Sequence, residues 1–312
     1  MLPGSEVVTD GPLRAPYVVV DDFMPPSEAL EMRSAAETHL GNPYQHSMGT
    51  HANWDYWYVP DLYTYLRADP EKVLGARLTG AFQSRLVQWT AENLGHVPAR
   101  GCHLSLYVSG CRQAQHNDAA NGRFGYVYSL TKNDRRTSGG ETLIWKEANY
   151  FESRMDQPAS GPAFYESISP RFNRLLVFDD RMPHAVQLVE GTMDPIEGRL
   201  VIHGHMHEAG PLISGPLSPG AVVAVAEELA RTFSSELGAL ARAYRGPATI
   251  RLTVRPDGSV ATAKLILDRV KRLRGQGPPA AEIVSRLVDL VTRLQFQSAA
   301  EDTNVVLPFA FD

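Results

Sequence analysis

The triplet His116-Asn117-Asp118 decides how the rest of this 312-residue chain is interpreted. Successive side chains on a strand point to opposite faces, so His116 and Asp118 are expected on one side and Asn117 on the other. A histidine and a carboxylate on the same face can hold one metal ion. A second histidine then has to come from a distant part of the chain.

The sequence offers that histidine at position 184. Leu175–Phe178 is an apolar run that predicts a buried strand, and the following Asp179–Pro183 predicts a turn, so His184 comes directly after a tight corner. Two imidazoles and one carboxylate bind one face of an octahedral Fe(II) and leave its other positions open, as in non-haem iron oxygenases. A closed structural zinc site would look different, because it typically has four protein ligands, often thiolates.

An H-x-D triplet alone is a weak signal, and its neighbours strengthen it. The chain carries, in order, Tyr107 and Gly110, the triplet, Gly139-Gly140-Glu141-Thr142, Pro183-His184, and Arg199 followed by Gly204. In this order the stretch Tyr107 to His205 resembles the iron(II)- and 2-oxoglutarate-dependent dioxygenases of the prolyl-hydroxylase type. Pro16–Met24 resembles the opening strand of that family, so the resemblance extends over about residues 15–208.

The resemblance implies a mainly β fold with flanking helices, a double-stranded β-helix or jelly-roll. It implies Fe(II) held by His116, Asp118 and His184, with Arg199 pairing with the distal carboxylate of 2-oxoglutarate. O2 would be the second cosubstrate, and ascorbate is expected to stimulate. The reaction of the family hydroxylates a substrate and releases succinate and CO2. Asp118 favours oxidation over halogenation, because related halogenases lack this carboxylate.

Further residues are assigned to the site by the same resemblance. Tyr107, Tyr128, Ser129 and His203 are expected to contact the cosubstrate, although many relatives carry tyrosine where Ser129 stands. His203 and His205 share a strand face with Arg199 and are expected to be pocket walls rather than ligands. The residues expected to face the substrate are Trp54, Trp57, Tyr126, Trp145 and His205.

Two other segments are candidates for shaping the substrate pocket. Tyr44–Tyr58 is rich in aromatic residues and includes His46 and His51, so it either forms a lid or packs the predicted helices Ser27–Leu40 and Pro70–Leu94 onto the sheet. Lys146–Arg171 is longer than an ordinary hairpin loop and is a candidate substrate-facing insertion that contains Arg154 and Tyr165.

Composition excludes several function classes. The net charge is −5, with 43% hydrophobic residues and no basic run, which disfavours nucleic-acid binding. The chain has no apolar run of membrane-spanning length, and its first residues lack the charged region and apolar core of a secretion signal. A cytoplasmic protein without a membrane partner is therefore expected. Cys102 and Cys111 lack zinc-type spacing and are expected to be reduced thiols.

The pattern changes after a Gly- and Pro-rich linker at 211–220, which separates an oxygenase domain, 1–210, from a second domain, 221–312. The second domain begins with the amphipathic stretch Ala221–Tyr244. The hairpin pattern Ala248–Leu267, a helix at Ala280–Leu294 and a strand at Asn304–Phe311 follow. This α+β order (αββαβ) resembles the C-terminal domain of TonB-like proteins, which implies partner binding, substrate recruitment or homodimerisation. A structural cap is the alternative.

Together these features predict an oxygenase that hydroxylates an unactivated C–H of an amino-acid residue in a peptide or protein. A hydroxylase of free amino acids or natural products, and a non-catalytic sensor that binds metal and 2-oxoglutarate, remain open alternatives. Desaturation or ring formation also remains open. A binuclear zinc hydrolase is disfavoured, because the Asp-His that usually continues the pattern His203-x-His205-x-His207 is absent. A cupin isomerase would not need Arg199.

Overall fold

A computed structural model describes residues 11–41, 54–98, 101–146, 164–208, 210–273 and 277–311. The chain divides into two compact units. The first contains Pro16–Leu86 and Pro98–Met206, and the second contains Val87–Val97 and His207–Asp312 together with the short segment that ends at Ala15. His46, His51 and Arg154 lie outside the described residues, as does most of the predicted insertion that begins at Lys146.

The first unit is mainly β, a curled antiparallel sheet with a few helices, as expected for a jelly-roll. Its helices are α1 (Pro26–Gly41), α2 (Pro70–Leu74) and α3 (Ala76–Asn93), the last of which continues into the second unit. The strands are β1 (Tyr17–Val20), β2 (Trp54–Val59), β3 (Tyr63–Ala68), β4 (His96–Pro98), β5 (His103–Tyr107), β6 (Arg112–His116), β7 (Phe124–Ser129), β8 (Thr137–Ser138), β9 (Thr142–Trp145), β10 (Tyr165–Ile168), β11 (Arg174–Asp179), β12 (His184–Val186), β13 (Glu190–Gly191) and β14 (Arg199–Glu208). A short 3-10 helix, Pro195–Glu197, precedes β14.

Strand pairing brings distant segments of the chain together. The large sheet runs in the order β1-β11-β7-β14-β5-β3-β6-β12-β9-β10, and β2 pairs with β3. The apolar β11 lies between β1 and β7, with Leu175 opposite Tyr128. Phe82 of α3 is fully buried and packs against Phe23, Tyr126 and Tyr128, so α3 covers the outer face of β7.

The predicted helix Pro70–Leu94 is wrong as a single element, because it is two helices. Asp69 caps α2 by accepting a hydrogen bond from the backbone N–H of Glu71 at 3.0 Å. Gly75 then adopts φ 85°, a conformation that ends the helix and that side chains with a Cβ rarely adopt. A new helix starts at Ala76.

The second unit contains α4 (Pro219–Leu237), β15 (Leu212–Ser214), β16 (Tyr244–Val254), β17 (Val260–Asp268), β18 (Lys271–Arg272), α5 (Ala280–Val291) and β19 (Thr303–Phe311). Its sheet has the order β15-β19-β16-β17, with β18 on β16. One apolar cluster joins both helices to this sheet through residues such as Phe233, Leu287 and Ile250. No helix in the described parts of the chain is long and apolar enough to cross a membrane.

A tight turn joins β16 to β17. Gly258 has φ +85°, and a Cβ at this position would lie 2.1 Å from the carbonyl oxygen of Phe296, so only glycine fits. The side chain of Asp257 accepts a hydrogen bond from the backbone N–H of Ser259 at 2.9 Å, which fixes the turn. The relation of this unit to TonB-like domains stays a prediction.

Candidate metal centre and adjoining pocket

Three side chains from separate segments meet at one point of the first unit. His184, at the start of β12, is directly opposite His116, at the end of β6. Asp118 lies just beyond β6, and its Oδ2 is 3.3 Å from Nε2 of His184 and 3.8 Å from Nε2 of His116. One ligand atom of each residue lies within 4.8 Å of the others, a spacing at which all three can contact one ion.

Hydrogen bonds to the backbone aim both imidazoles. Nδ1 of His116 lies 2.7 Å from the carbonyl oxygen of Ala114, and Nδ1 of His184 lies 3.0 Å from that of Met182. A carbonyl at Nδ1 places the proton there and leaves Nε2 as the metal-binding nitrogen. Asp118 is held by its own N–H, which donates to the Asp180 carbonyl at 2.9 Å.

The electrostatics favour the metal-binding protonation states. Burial would raise the pKa of Asp118, but the hydrogen bond and charge of His184 lower it to about 2. The pKa of His116 is lowered by burial and by the charge of His184. Near neutral pH the cluster therefore offers a carboxylate and an uncharged imidazole at His116, the forms that bind a cation. This donor set fits Fe(II).

Arg199, the first residue of β14, lines the same cavity as the three clustered side chains and is only 1% exposed. Its Cζ is 4.6 Å from the centre of the Tyr107 ring, and its Nη2 donates to Oγ1 of Thr142 at 3.3 Å. The buried Nε and Nη1 atoms have no hydrogen-bond partner in the described structure. Burial lowers the pKa of this guanidinium. A buried cation with unused donors indicates an anion site.

The position of Thr142 sets the distance between Arg199 and the metal centre. Thr142 pairs with Val186, two residues beyond His184 on β12. Two residues along a strand cover roughly 7 Å. A five-carbon dicarboxylate can span that separation, with one end at the metal and the other at Arg199, so the chain's own residues fit 2-oxoglutarate as well as Fe(II).

Two adjacent glycines allow close packing next to Arg199, Gly140 against its side chain and Gly139 against the backbone of Leu188. A Cβ at Gly140 would lie 3.0 Å from Cδ of Arg199, and a Cβ at Gly139 would lie 1.9 Å from the carbonyl oxygen of Leu188. Both residues have φ +77°, which favours glycine. The Gly-Gly pair noted in the sequence therefore permits β9 to approach Arg199 closely.

A cavity of about 690 Å³ surrounds these groups. Of the residues assigned from the sequence, those that line it are Trp57, Tyr107, His116, Asp118, Tyr126, His184, Arg199, His203 and His205. Trp54, Tyr128, Ser129 and Trp145 are not among the lining residues. Their polar or aromatic groups are engaged elsewhere: the Tyr128 hydroxyl donates to Asn173, Ser129 donates to the Pro170 carbonyl, Trp54 donates to His39, and Trp145 packs on Phe164.

The two histidines of β14 have different partners. Nε2 of His203 is 2.8 Å from Oγ of Ser105, and burial together with the charge of His103 lowers the pKa of His203 to about 3. Nδ1 of His205 is 3.0 Å from Oδ2 of the fully buried Asp180. Burial raises the pKa of Asp180 to about 6 even though His205 opposes the shift. His203 is thus a neutral wall residue, and His205 forms a carboxylate–imidazole pair beside Asp118.

Several lining residues were not predicted from the sequence: Tyr63, Tyr65, Arg67, His103, Gln113 and Thr142. Tyr63, Tyr65 and Arg67 alternate along β3, a strand that was not predicted from the sequence. The alternation of two tyrosines and an arginine was the available signal, since it matches the two-residue period of a strand. The ring centres of Tyr65 and Tyr107 lie 4.9 Å apart, so the two stacked rings form one aromatic wall of the cavity.

A comparison with protein families agrees with this site. Residues 102–207 match the family model described as the 2OG-Fe(II) oxygenase superfamily. This segment contains the three clustered side chains and Arg199. The match and the donor set support an Fe(II)/2-oxoglutarate-dependent dioxygenase, with Fe(II) and 2-oxoglutarate as its cofactor and cosubstrate. No curated protein matches the sequence significantly.

Among solved structures, the chain is similar to a prolyl hydroxylase from Trichoplax adhaerens in complex with a peptide fragment of the oxygen degradation domain of hypoxia inducible factor. That likeness has 16% identity and a TM-score of 0.41, and covers 61% of this chain and 82% of the other. A Pseudomonas putida prolyl-4-hydroxylase has 15% identity, a TM-score of 0.44 and coverages of 62% and 94%. The α-ketoglutarate-dependent epimerase SnoN from nogalamycin biosynthesis has 13% identity, a TM-score of 0.43 and coverages of 62% and 77%. Likenesses this distant assign neither a substrate nor a residue role.

Proposed function

We propose that the protein hydroxylates an unactivated C–H bond of an amino-acid residue in a peptide or protein, with release of succinate and CO2. In this proposal His116, Asp118 and His184 hold Fe(II), and Arg199 holds the distal carboxylate of 2-oxoglutarate. The observation that carries the proposal is the fully buried Arg199, whose Nε and Nη1 have no hydrogen-bond partner in the described structure and which lines the same cavity as the three clustered side chains. A metal-binding protein that binds no anionic ligand has no need of such a costly cation.

The chain's residues would prepare the site in several ways. Iron and 2-oxoglutarate, when bound, supply the oxidising chemistry by activating O2. Arg199 and Thr142 would fix the cosubstrate at its far end, so that its other end meets the metal in one orientation. The aromatic wall of Tyr107 and Tyr65 would keep water away from the ion pair between Arg199 and the distal carboxylate of 2-oxoglutarate. The neutral His203 can donate or accept a hydrogen bond without adding charge.

Turnover distinguishes this proposal from a sensor. The full chain would be incubated with Fe(II), ascorbate, 2-oxoglutarate and a peptide library, while succinate release and peptide masses are followed. We expect substrate-dependent succinate release and a peptide that gains the mass of one oxygen. Asp118→Ala should abolish both, whereas Asp134→Ala, an exposed aspartate in a turn, should not. Binding of metal and 2-oxoglutarate without peptide-stimulated succinate release would favour the sensor.

The second unit is proposed to recruit substrate or to form a homodimer. Its strand β17 is the last strand in the order of its sheet; Leu13 bridges to its edge at Leu267, and the part of the edge before Ile266 is a position at which another strand can add by backbone hydrogen bonding. Light scattering would separate a 34.4 kDa monomer from a dimer. Recruitment predicts that the KM for peptides falls as they are lengthened. If the protein is a monomer and its KM does not depend on peptide length, both recruitment and dimerisation by the second unit are wrong.

A further inference from the structure

A second arginine lines the cavity, apart from Arg199. Tyr63, Tyr65 and Arg67 alternate on the inner face of β3, and all three line the cavity. Arg67 pairs across the sheet with Ser105 of β5, and Ser105 pairs with Val201 of β14. Two strand spacings and two residues separate Arg67 from Arg199, which places their Cα atoms roughly 12 Å apart.

The two guanidinium groups point to different places. Arg199 reaches Thr142 on β9, whereas the Cζ of Arg67 lies 3.5 Å above the ring of Trp57 on β2. Stacking uses the flat face of a guanidinium and leaves its in-plane N–H groups for hydrogen bonds, one of which Arg67 makes with Tyr65. One edge of such N–H groups matches the two oxygens of a carboxylate. The cavity thus contains two separate positions for an anion.

The charges around Arg67 favour a bound anion at the second position. Burial lowers the pKa of Arg67, although the charges of Tyr65 and Asp55 and a hydrogen bond to Tyr65 act in the opposite direction. The pKa of the nearby His103 is lowered by burial and by the charge of Arg67. Among the lining residues that the structure describes, Asp118 is the one acid, and it belongs to the metal centre. Asp55, directly opposite Arg67 on β2, partly offsets its charge but is exposed and does not line the cavity, so Asp118 is the acid that the described cavity lining contributes.

We propose that the substrate presents a carboxylate and that Arg67, held against Trp57, binds it while the carbon to be oxidised faces the metal centre. This inference rests on the proposed oxygenase function. Arg199 is assigned to the cosubstrate, so Arg67 selects the substrate. The carboxylate is either a free C-terminus or the side chain of an aspartate or glutamate.

Binding to the full chain, loaded with Mn(II) and 2-oxoglutarate under argon, tests the proposal without turnover. N-acetyl amino acids are compared with their amides, and doubly blocked peptides containing Asp or Glu are compared with the Asn or Gln forms. Saturation-transfer NMR gives the dissociation constants. The first set detects recognition of a terminal carboxylate, and the second detects recognition of a side chain.

We expect an acid to bind at least tenfold more tightly than its uncharged counterpart. Arg67→Gln should remove that preference, and Arg67→Lys should retain part of it, because lysine keeps the charge but not the planar edge. Arg112→Gln is the matched control, since Arg112 lies on the neighbouring β6, is exposed and does not line the cavity. Thermal unfolding of each variant shows whether its fold is intact.

Four results would overturn the proposal. These are no binding by any acid, equal binding of acids and uncharged forms, an acid preference that survives in Arg67→Gln, and a loss of 2-oxoglutarate affinity in Arg67→Gln as large as in an Arg199 variant. The last result would place Arg67 at the cosubstrate. If acids are preferred through Arg67 but no substrate stimulates succinate release, the proposed function fails while the carboxylate site stands.

Discussion

Arg199→Met should make the ligand-free protein more stable while weakening its response to 2-oxoglutarate. The wild-type guanidinium is 1% exposed and has two nitrogens without a hydrogen-bond partner. Taking such an ion out of water costs several kcal/mol, and an apolar replacement of similar length recovers about 1–4 kcal/mol. For a domain of this size, 1 kcal/mol changes Tm by about 2–4 °C. The ligand-free variant should therefore melt several degrees above wild type.

2-Oxoglutarate should stabilise Arg199→Met less than it stabilises the wild type. At a 2-oxoglutarate concentration one hundred times its Kd, binding stabilises the wild type by about 2.7 kcal/mol, or roughly 5–11 °C in Tm. A hydrogen bond to a charged group contributes about 1.5–3 kcal/mol, so the loss of the Arg199 pair should weaken affinity by about 10- to 150-fold. At the same concentration the stabilisation then falls to about 0.3–1.4 kcal/mol.

Thermal unfolding under argon with Mn(II), with and without 2-oxoglutarate, measures both effects in one assay. Arg112→Met, at an exposed arginine of β6, serves as the control and should leave both melting temperatures within about 1 °C of wild type. An Arg199→Met variant that melts below wild type when ligand-free, and still gains the full shift with 2-oxoglutarate, would refute the assignment of Arg199 as an anion site.

Three further perturbations test the fold and the site. Gly140→Ala forces a Cβ to within 3.0 Å of Arg199 at φ +77° and should raise the KM for 2-oxoglutarate and cost about 1–2 kcal/mol of stability; an unchanged KM would count against the close approach of β9. Phe82→Ala should cost about 3–5 kcal/mol in urea unfolding, against less than about 0.5 kcal/mol for the exposed Leu30→Ala. The folded-state pKa of His203 is lowered to about 3, so the unfolded chain binds this proton first, and its contribution to stability is lost as pH falls below about 6.5. His203→Gln should therefore flatten the acid side of the stability–pH curve, and a curve as steep as that of wild type would contradict a neutral His203.

The clustering of His116, Asp118 and His184 could be predicted because each residue has a local signal and a fixed order in the chain. His116 and Asp118 are two residues apart, and His184 follows an apolar strand and a turn. The strand expected to carry both His116 and Asp118 is shorter than predicted, since β6 ends at His116 and Asp118 lies beyond it. What holds the carboxylate there is the backbone hydrogen bond from Asp118 to Asp180, a contact across 62 positions that no local pattern contains.

The pocket walls were less predictable, because an aromatic residue on a strand can face either side of the sheet. Trp57 lines the cavity, while Trp54 lies against His39. Tyr128 was expected at the cosubstrate, but its ring packs between Phe23 and Phe82 on the outer face. Residue type gives the chemistry of a side chain, whereas the curling of the sheet decides which of two faces becomes the inside.

The distribution of charge in the cavity follows from the same curling. The chain is acidic overall, with a net charge of −5, yet β3 and β14 place Arg67 and Arg199 on one lining surface. The acids Asp118 and Asp180 lie together at the metal end of the cavity. Burying the Arg199 cation away from acids costs stability, and a structure retains such a cost where a ligand repays it. Arg67 is only partly buried, but it lines the same cavity and is directed to a different position, so the two cations argue for two anionic ligands, the cosubstrate at Arg199 and a carboxylate of the substrate at Arg67.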